Sequence, residues 1–234
     1  MTETDSNIHT RHEGHLRFGQ AEQHLEGEKH LREQEIPRQA PRIVLVGPQG
    51  SGKGTQASRI AEHYGIAAIS TGDVFRQNVT DDSELGRQVK AIIEAGDLVS
   101  DALTFEVVRD RLGEPDAAGG FLLDGFPRNL DQLGMLDTFL AQRNEPLTAV
   151  IELGVSRAVS IDRLTRRAFE QGRSDDTEEV ISNRLAIFER ETAPILEVYR
   201  DHGLVDSVDG VGSLDEVTER IIGALHSRGI LPVG

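Results

Sequence analysis

From Pro41 onward, short apolar runs alternate with longer stretches in which apolar residues recur every three or four positions. Runs such as Ile43-Val44-Leu45-Val46 are apolar at every position, the mark of a strand covered on both faces, whereas the longer stretches read as amphipathic helices. The pattern predicts strands at 42–46, 66–70, 121–124, 149–153 and 204–208. Helices are predicted at 54–63, 85–95, 102–112, 130–143, 157–169, 177–200 and 214–227. Strand and helix in repeated succession imply an α/β fold, a five-stranded parallel sheet with helices on both faces. Pro194 lies inside the sixth helix and is expected to kink or divide it.

Residues 1–40 break this pattern. They hold five of the eight histidines, eight acids, five basic residues and few apolar side chains, too little apolar surface to order a segment. A disordered, polar, His-rich N-terminal tail is expected there, with a short C-terminal tail at 228–234. His9, His12 and His15 suggest metal binding, but a solvated tail is the simpler reading.

At 234 residues and 37% hydrophobic, the chain suits one domain with small insertions. The absence of cysteine removes disulfides, thiolate zinc sites, iron–sulfur clusters and cysteine nucleophiles from consideration. Its apolar runs fall far short of the roughly 20 residues of a membrane span, and no apolar signal region opens the chain, so a cytoplasmic protein with no membrane partner is expected. A net charge of −15 argues against nucleic acid as a partner. It does not exclude an anionic ligand, because a phosphate site is built from local cations. The three lysines, against twenty-two arginines, read as codon bias.

Gly47-Pro48-Gln49-Gly50-Ser51-Gly52-Lys53-Gly54-Thr55 follows an apolar strand and opens a helix, the context of a Walker A loop. Glycines let successive backbone N–H groups face phosphate oxygens, and the helix N-terminus adds a positive dipole end. Lys53 would bridge the β- and γ-phosphates of a nucleoside triphosphate. The hydroxyl residue Thr55 stands one step later than in the common motif, with Gly54 directly after the lysine. Phe121-Leu122-Leu123-Asp124 reads as a second buried strand ending in a carboxylate. There Asp124 would hold Mg²⁺ through water, since that ion keeps several of its waters.

Three segments in order, Gly52-Lys53-Gly54-Thr55-Gln56, Ile69 to Arg76 and Asp124-Gly125-Phe126-Pro127-Arg128, resemble the adenylate kinase family, and the resemblance runs from about Arg42 to Leu225. It implies a P-loop NTPase three-layer fold with a core at 41–69, 100–165 and 178–227, an AMP-binding insertion at 70–99 and a short lid at 166–177. It implies reversible transfer of the γ-phosphoryl group of MgATP to AMP, giving two ADP, by a monomer. ATP binding falls to Gly50, Ser51, Gly52, Lys53, Gly54, Thr55, Arg163, Arg167 and Gly212. AMP binding falls to Thr71, Arg76, Asp97, Leu98, Val99, Gly125, Phe126, Pro127, Arg128, Gln132, Arg173 and Arg184. The catalytic set is Lys53, Arg128, Arg163, Arg173 and Arg184, with Asp175 and Asp176 orienting the lid. Five residues between Arg167 and Arg173 leave no room for the zinc-bearing lid of longer relatives, so no structural zinc is expected. Glutamine at 132 and threonine at 71 point to adenine, where relatives that phosphorylate UMP or CMP carry asparagine and alanine. The alternatives are such a UMP/CMP kinase and a nucleotide-binding switch without turnover.

Asp176-Thr177-Glu178-Glu179 has acids in a first turn and the spacing of a capping box begun by Asp176, which marks a helix start and argues against a paired-carboxylate site. No general base is needed, because the AMP phosphate is already a dianion near neutral pH.

Overall fold

The computed structural model describes residues 40–171 and 177–232. Strands β1 (Arg42–Val46), β2 (Ala67–Ser70), β3 (Phe121–Asp124), β4 (Ala149–Gly154) and β5 (Val205–Asp209) form one parallel sheet in the order β2-β3-β1-β4-β5. The helices are α1 (Lys53–Tyr64), α2 (Thr71–Thr80), α3 (Glu84–Ala95), α4 (Asp101–Leu112), α5 (Leu130–Gln142), α6 (Arg157–Gln171), α7 (Glu178–Ile187), α8 (Ala193–Asp201) and α9 (Leu214–Ser227).

The unbroken apolar run of β1 is explained by two cores. Successive strand residues point to opposite faces. Accordingly Val44 and Val46 pack with α4, α5 and α8, through residues such as Val108, Leu136 and Tyr199. Ile43 and Leu45 pack on the other side with α1 and α9, through Ile60, Tyr64, Ile221 and Leu225. Each fully buried Leu or Ile contributes about 1.5–3 kcal/mol, so these two clusters carry the fold. By contrast, α2 and α3 rest on a small cluster of Phe75, Val89 and Val99.

Sequence and structure differ at several boundaries. The second strand starts at Ala67 because the Ile66 N–H is spent closing α1 on Ala61 O (3.0 Å). Likewise Leu204 N–H closes α8 on Tyr199 O (2.9 Å), and β5 begins one residue later than expected. Helix α2 was not expected. Its apolar stripe is thin, with only Val74, Phe75 and Val79, and what starts it is polar: Ser70 caps it by accepting from Asp73 N. The predicted helix 177–200 is divided as Pro194 requires: α7 ends at Ile187, a π turn spans Phe188–Thr192, and Pro194 sits in the first turn of α8, where its missing N–H costs nothing. The cap of α7 is Thr177, accepting from Val180 N (3.3 Å), so the capping box expected from Asp176 shifts out of register, although Glu178 and Glu179 do occupy the first turn. Arg173, Asp175 and Asp176 lie outside the described residues, as does the N-terminal tail before residue 40.

The connection from β1 runs to β2 on one side of it and the connection from β3 crosses to β4 on the other, and the crevice at the carboxyl ends of strands flanking such a reversal is where α/β sheets bind ligands.

Candidate active site

The glycine-rich loop leaves the end of β1 and is wedged between β4 and α6. A Cβ on Gly47 would stand 2.4 Å from Leu153 O, and Gly50 has φ +80° with no room for a side chain beside Ser160 O. Arg163 of α6 fastens the loop by donating to Gly50 O (3.3 Å), Ser51 O (3.2 Å) and Gly210 O (3.0 Å). The resemblance assigns Arg163 to the transferring phosphate; its guanidinium here braces the cradle against the loop after β5.

Lys53 is the first residue of α1, and its Nζ folds back to donate to Gly47 O (2.6 Å) and Pro48 O (2.9 Å). Burial pushes its pKa down to about 8; Asp124 opposes that shift, whereas Arg128 and Arg167 add to it. Ser51 Oγ and Gln49 Oε1 are buried in the same loop without a hydrogen-bond partner. Buried polar atoms are normally satisfied, so both point to a polar ligand.

Asp124 ends β3, beside Leu45 of β1 and Ser70 of β2. Burial raises its carboxyl pKa, and Lys53 and Arg128 pull it back toward the charged form. A Cβ at Gly54 would lie 3.5 Å from Asp124 Oδ2, in ordinary van der Waals contact, so the start of α1 sits directly beside the carboxylate. One carboxylate and the Thr55 hydroxyl in the same cleft suit Mg²⁺ arriving with a nucleotide, since that ion binds through few protein oxygens, substrate phosphates and water.

Across the crevice, Thr71 Oγ1 and Arg128 Nε both donate to Gly125 O, at 2.9 and 2.7 Å. Thr192 Oγ1 donates to Arg128 O (2.8 Å), tying the loop after β3 to the π turn. Burial lowers the Arg128 pKa, with Asp124 opposing; a guanidinium still remains a cation. Arg76 pairs with Asp73 one helical turn away. From α7, Asn183 Nδ2 donates to Asp97 Oδ1 (2.9 Å), and Arg184 Nη2 donates to Ile93 O (3.2 Å).

These two sides are walls of a single cleft of about 880 Å³, near the upper end of the roughly 300–1,000 Å³ usual for ligand sites. Of the residues named from the sequence, Gly50, Ser51, Gly52, Lys53, Gly54, Thr55, Thr71, Arg76, Asp97, Leu98, Val99, Asp124, Gly125, Pro127, Arg128, Gln132, Arg163, Arg167, Arg184 and Gly212 line it. Phe126 does not: it is 1% exposed and stacks on Phe105 in the core, with ring centroids 6.3 Å apart. Among the described residues, six cations therefore converge on one cleft of a chain with a net charge of −15, the local inversion of charge that a polyphosphate ligand needs.

Sequence reasoning missed Asp73, Asp101 and Thr192. Asp73 had a signal, the three-residue spacing to Arg76, which is visible only once α2 is recognised. Thr192 and Asp101 reach the site from distant elements, and no local pattern marks them.

Residues 45–204 match the family model described as adenylate kinase. The chain is 56% identical over 191 residues to an adenylate kinase of Leifsonia xyli, covering 82% of this chain and 96% of that protein. It is 53% identical over 191 residues to one of Clavibacter michiganensis, with the same two coverages. To that of Bifidobacterium longum it is 48% identical over 185 residues, 79% of this chain and all of the other. A phosphate cradle facing an arginine-rich second wall, carried on a sequence this close to those relatives along nearly their whole length, leaves one assignment: the chain belongs to the adenylate kinase family.

Proposed function

We propose that the chain catalyses Mg²⁺-dependent, reversible transfer of the γ-phosphoryl group of ATP to AMP, giving two ADP. The observation that carries this reading is that the Lys53 cradle and the Thr71, Arg76, Arg128 and Gln132 wall share one cleft, so donor and acceptor have facing sites. ATP lies along the glycine-rich loop, with Lys53 on its terminal phosphates and Arg163 and Arg167 closing from α6. AMP lies against α2 and the loop after β3, its phosphate held by Arg76, Arg128 and Arg184. Asp124 and Thr55 would hold the waters of Mg²⁺, which supplies charge neutralisation on the β- and γ-phosphates. An AMP phosphate oxygen attacks the γ-phosphorus in line as its bond to the ADP oxygen breaks, and the arginines bear the charge spread over the transferring group. The 70–99 insertion and the 166–177 lid close over the nucleotides and exclude water, with Arg173, Asp175 and Asp176 acting from the lid. The proposed enzyme acts as a monomer in the cytoplasm; among the described residues no helix is long and apolar enough to cross a membrane.

The test is a panel of AMP, UMP, CMP and GMP as acceptors with MgATP. AMP is expected to be used at least about tenfold better than the others, the discrimination that one or two buried hydrogen bonds give. A preference for UMP or CMP would assign the rival kinase activity, and no turnover with any acceptor would leave a nucleotide-binding switch.

The depressed pKa of Lys53 predicts a pH dependence. Bound phosphates favour the ammonium form, so affinity requires a proton that the free protein loses near pH 8. MgATP affinity is expected to fall about tenfold between pH 7 and pH 9, with proton uptake on binding in that window. Calorimetry in buffers of different ionisation enthalpy measures both. Lys53→Arg, whose charge does not titrate there, should flatten the profile; a flat profile in the unaltered protein would contradict the assignment.

A further inference from the structure

We propose that Asp101 is a positioning residue for base selection: it fixes which way the Gln132 amide faces, and so sets the site to adenine over hypoxanthine or guanine. The inference rests on the AMP acceptor site proposed above and extends it to a residue outside the three motifs.

Asp101 is the first residue of α4, and α5 is capped by Asn129. Between these two helix starts lies a small closed network. Gln132 Nε2 donates to Asp101 Oδ1 (2.7 Å), and Asn129 Nδ2 donates to the same oxygen (2.9 Å). Gln132 Oε1 accepts from the backbone N–H of Arg128 (2.8 Å), and Gln132 N donates to Asn129 Oδ1 (2.9 Å). Asp101 and Asn129 are half-buried, while Gln132 is 1% exposed at the cleft wall.

A glutamine amide looks nearly the same in either orientation, but its two partners here do not. A carboxylate only accepts and a backbone N–H only donates, so Nε2 must face Asp101 and Oε1 must face Arg128. Reversing the amide would set two acceptors against each other at one end and two donors at the other, on a side chain that is only 1% exposed. Each end of the amide keeps one unused valence, a hydrogen on Nε2 and a lone pair on Oε1. That remaining edge presents one donor and one acceptor in a fixed order. Adenine offers the complement, N1 accepting from Nε2 and N6–H donating to Oε1. Hypoxanthine and guanine carry N1–H and O6, the reverse order, and would be met only by the reversed amide. Discrimination by polarity of this kind is strong because the wrong base leaves buried groups unpaired.

Asp101 supplies one of the two pins, the Arg128 N–H the other. Asp101→Ala should therefore lower kcat/KM for AMP about tenfold, mainly through KM, and narrow the preference for AMP over inosine monophosphate by a similar factor, the scale of one buried hydrogen bond. Asp101→Asn keeps an oxygen at the same place and is expected to retain the AMP preference to within about threefold. The measurement is kcat and KM with AMP and with inosine monophosphate for the full chain and both variants, beside their melting temperatures. Should the alanine variant fold poorly, Asp101→Leu, which also lacks the acceptor, takes its place. An unchanged AMP-to-inosine-monophosphate ratio in a folded variant that lacks the acceptor overturns the proposal while leaving the kinase reading intact. Loss of the preference in Asp101→Asn to the same extent as in Asp101→Ala also overturns it, since the oxygen is then not what matters. Failure of the unaltered chain to use AMP overturns both.

Discussion

Lys53→Met is expected to lower turnover by roughly 10²–10⁴-fold while the protein stays folded. Methionine matches lysine in length and helix propensity, and Lys53 starts α1 from a half-buried position, so the helix loses nothing it needs. What disappears is the ammonium that donates to Gly47 O and Pro48 O and that turns to the phosphates when they arrive. Two lost hydrogen bonds cost about 1 kcal/mol each. They are offset by removal of a desolvated charge, one whose burial already depresses its pKa to about 8. The melting temperature should therefore move by no more than about 2–8 °C. Chemistry has no such offset. In phosphoryl transfer most of the catalytic power is electrostatic and positional, so a cation placed on the transferring group acts directly on the barrier. A coupled assay for kcat, with circular dichroism on the same samples, checks both halves. Near-normal turnover would remove the P-loop reading of this site.

How much of this was legible beforehand depended on whether the determining signal was local. Strands β1 and β3 are unbroken buried runs, and four buried residues in β1 announce a two-sided parallel sheet without any knowledge of their partners. The glycine-rich loop was equally plain, because its function needs successive residues that lack side chains. Helix α2 escaped because the forces that define it are a polar cap from Ser70 and the burial of a single aromatic, Phe75, neither of which produces a periodic stripe. Phe126 shows the opposite failure. It belongs to a motif whose neighbours Gly125, Pro127 and Arg128 line the cleft, yet from the loop after β3 its ring turns inward to Phe105, and motif membership alone cannot tell which face a residue takes. Arg163 lines the cleft, but its bonds to Gly50 O, Ser51 O and Gly210 O join elements far apart in sequence. Long-range hydrogen bonds of that kind leave no trace in spacing. Asp101 is hidden for the same reason, separated from Gln132 by the rest of α4, by β3 and by the loops that join them.

The second large effect is expected at Arg128, where alanine should reduce kcat about 10²–10³-fold, the size seen when a preorganised donor to developing charge is removed. Lysine should restore only part of it. Arg128 holds Gly125 O through Nε while lining the cleft, and an ammonium cannot present a fork that does both. The backbone there does not depend on the side chain alone: Thr71 also holds Gly125 O, and Thr192 holds Arg128 O whatever the side chain is. Loss of activity with little loss of structure is therefore the expected pattern. A kcat within about threefold of the unaltered protein would show that this arginine bears no transition-state charge. A second consequence separates removal of a charge from a general disturbance of the loop. Arg128 is one of the cations that depress the Lys53 pKa, so deleting it must raise that pKa. The fall in MgATP affinity with pH should then begin above the pH near 8 that governs the unaltered protein. In Arg128→Lys, where a cation remains beside Lys53, the shift should be smaller. Affinity profiles of the two variants, measured on folded protein without an acceptor, thus report the coupling between donor and acceptor walls before any phosphoryl group moves.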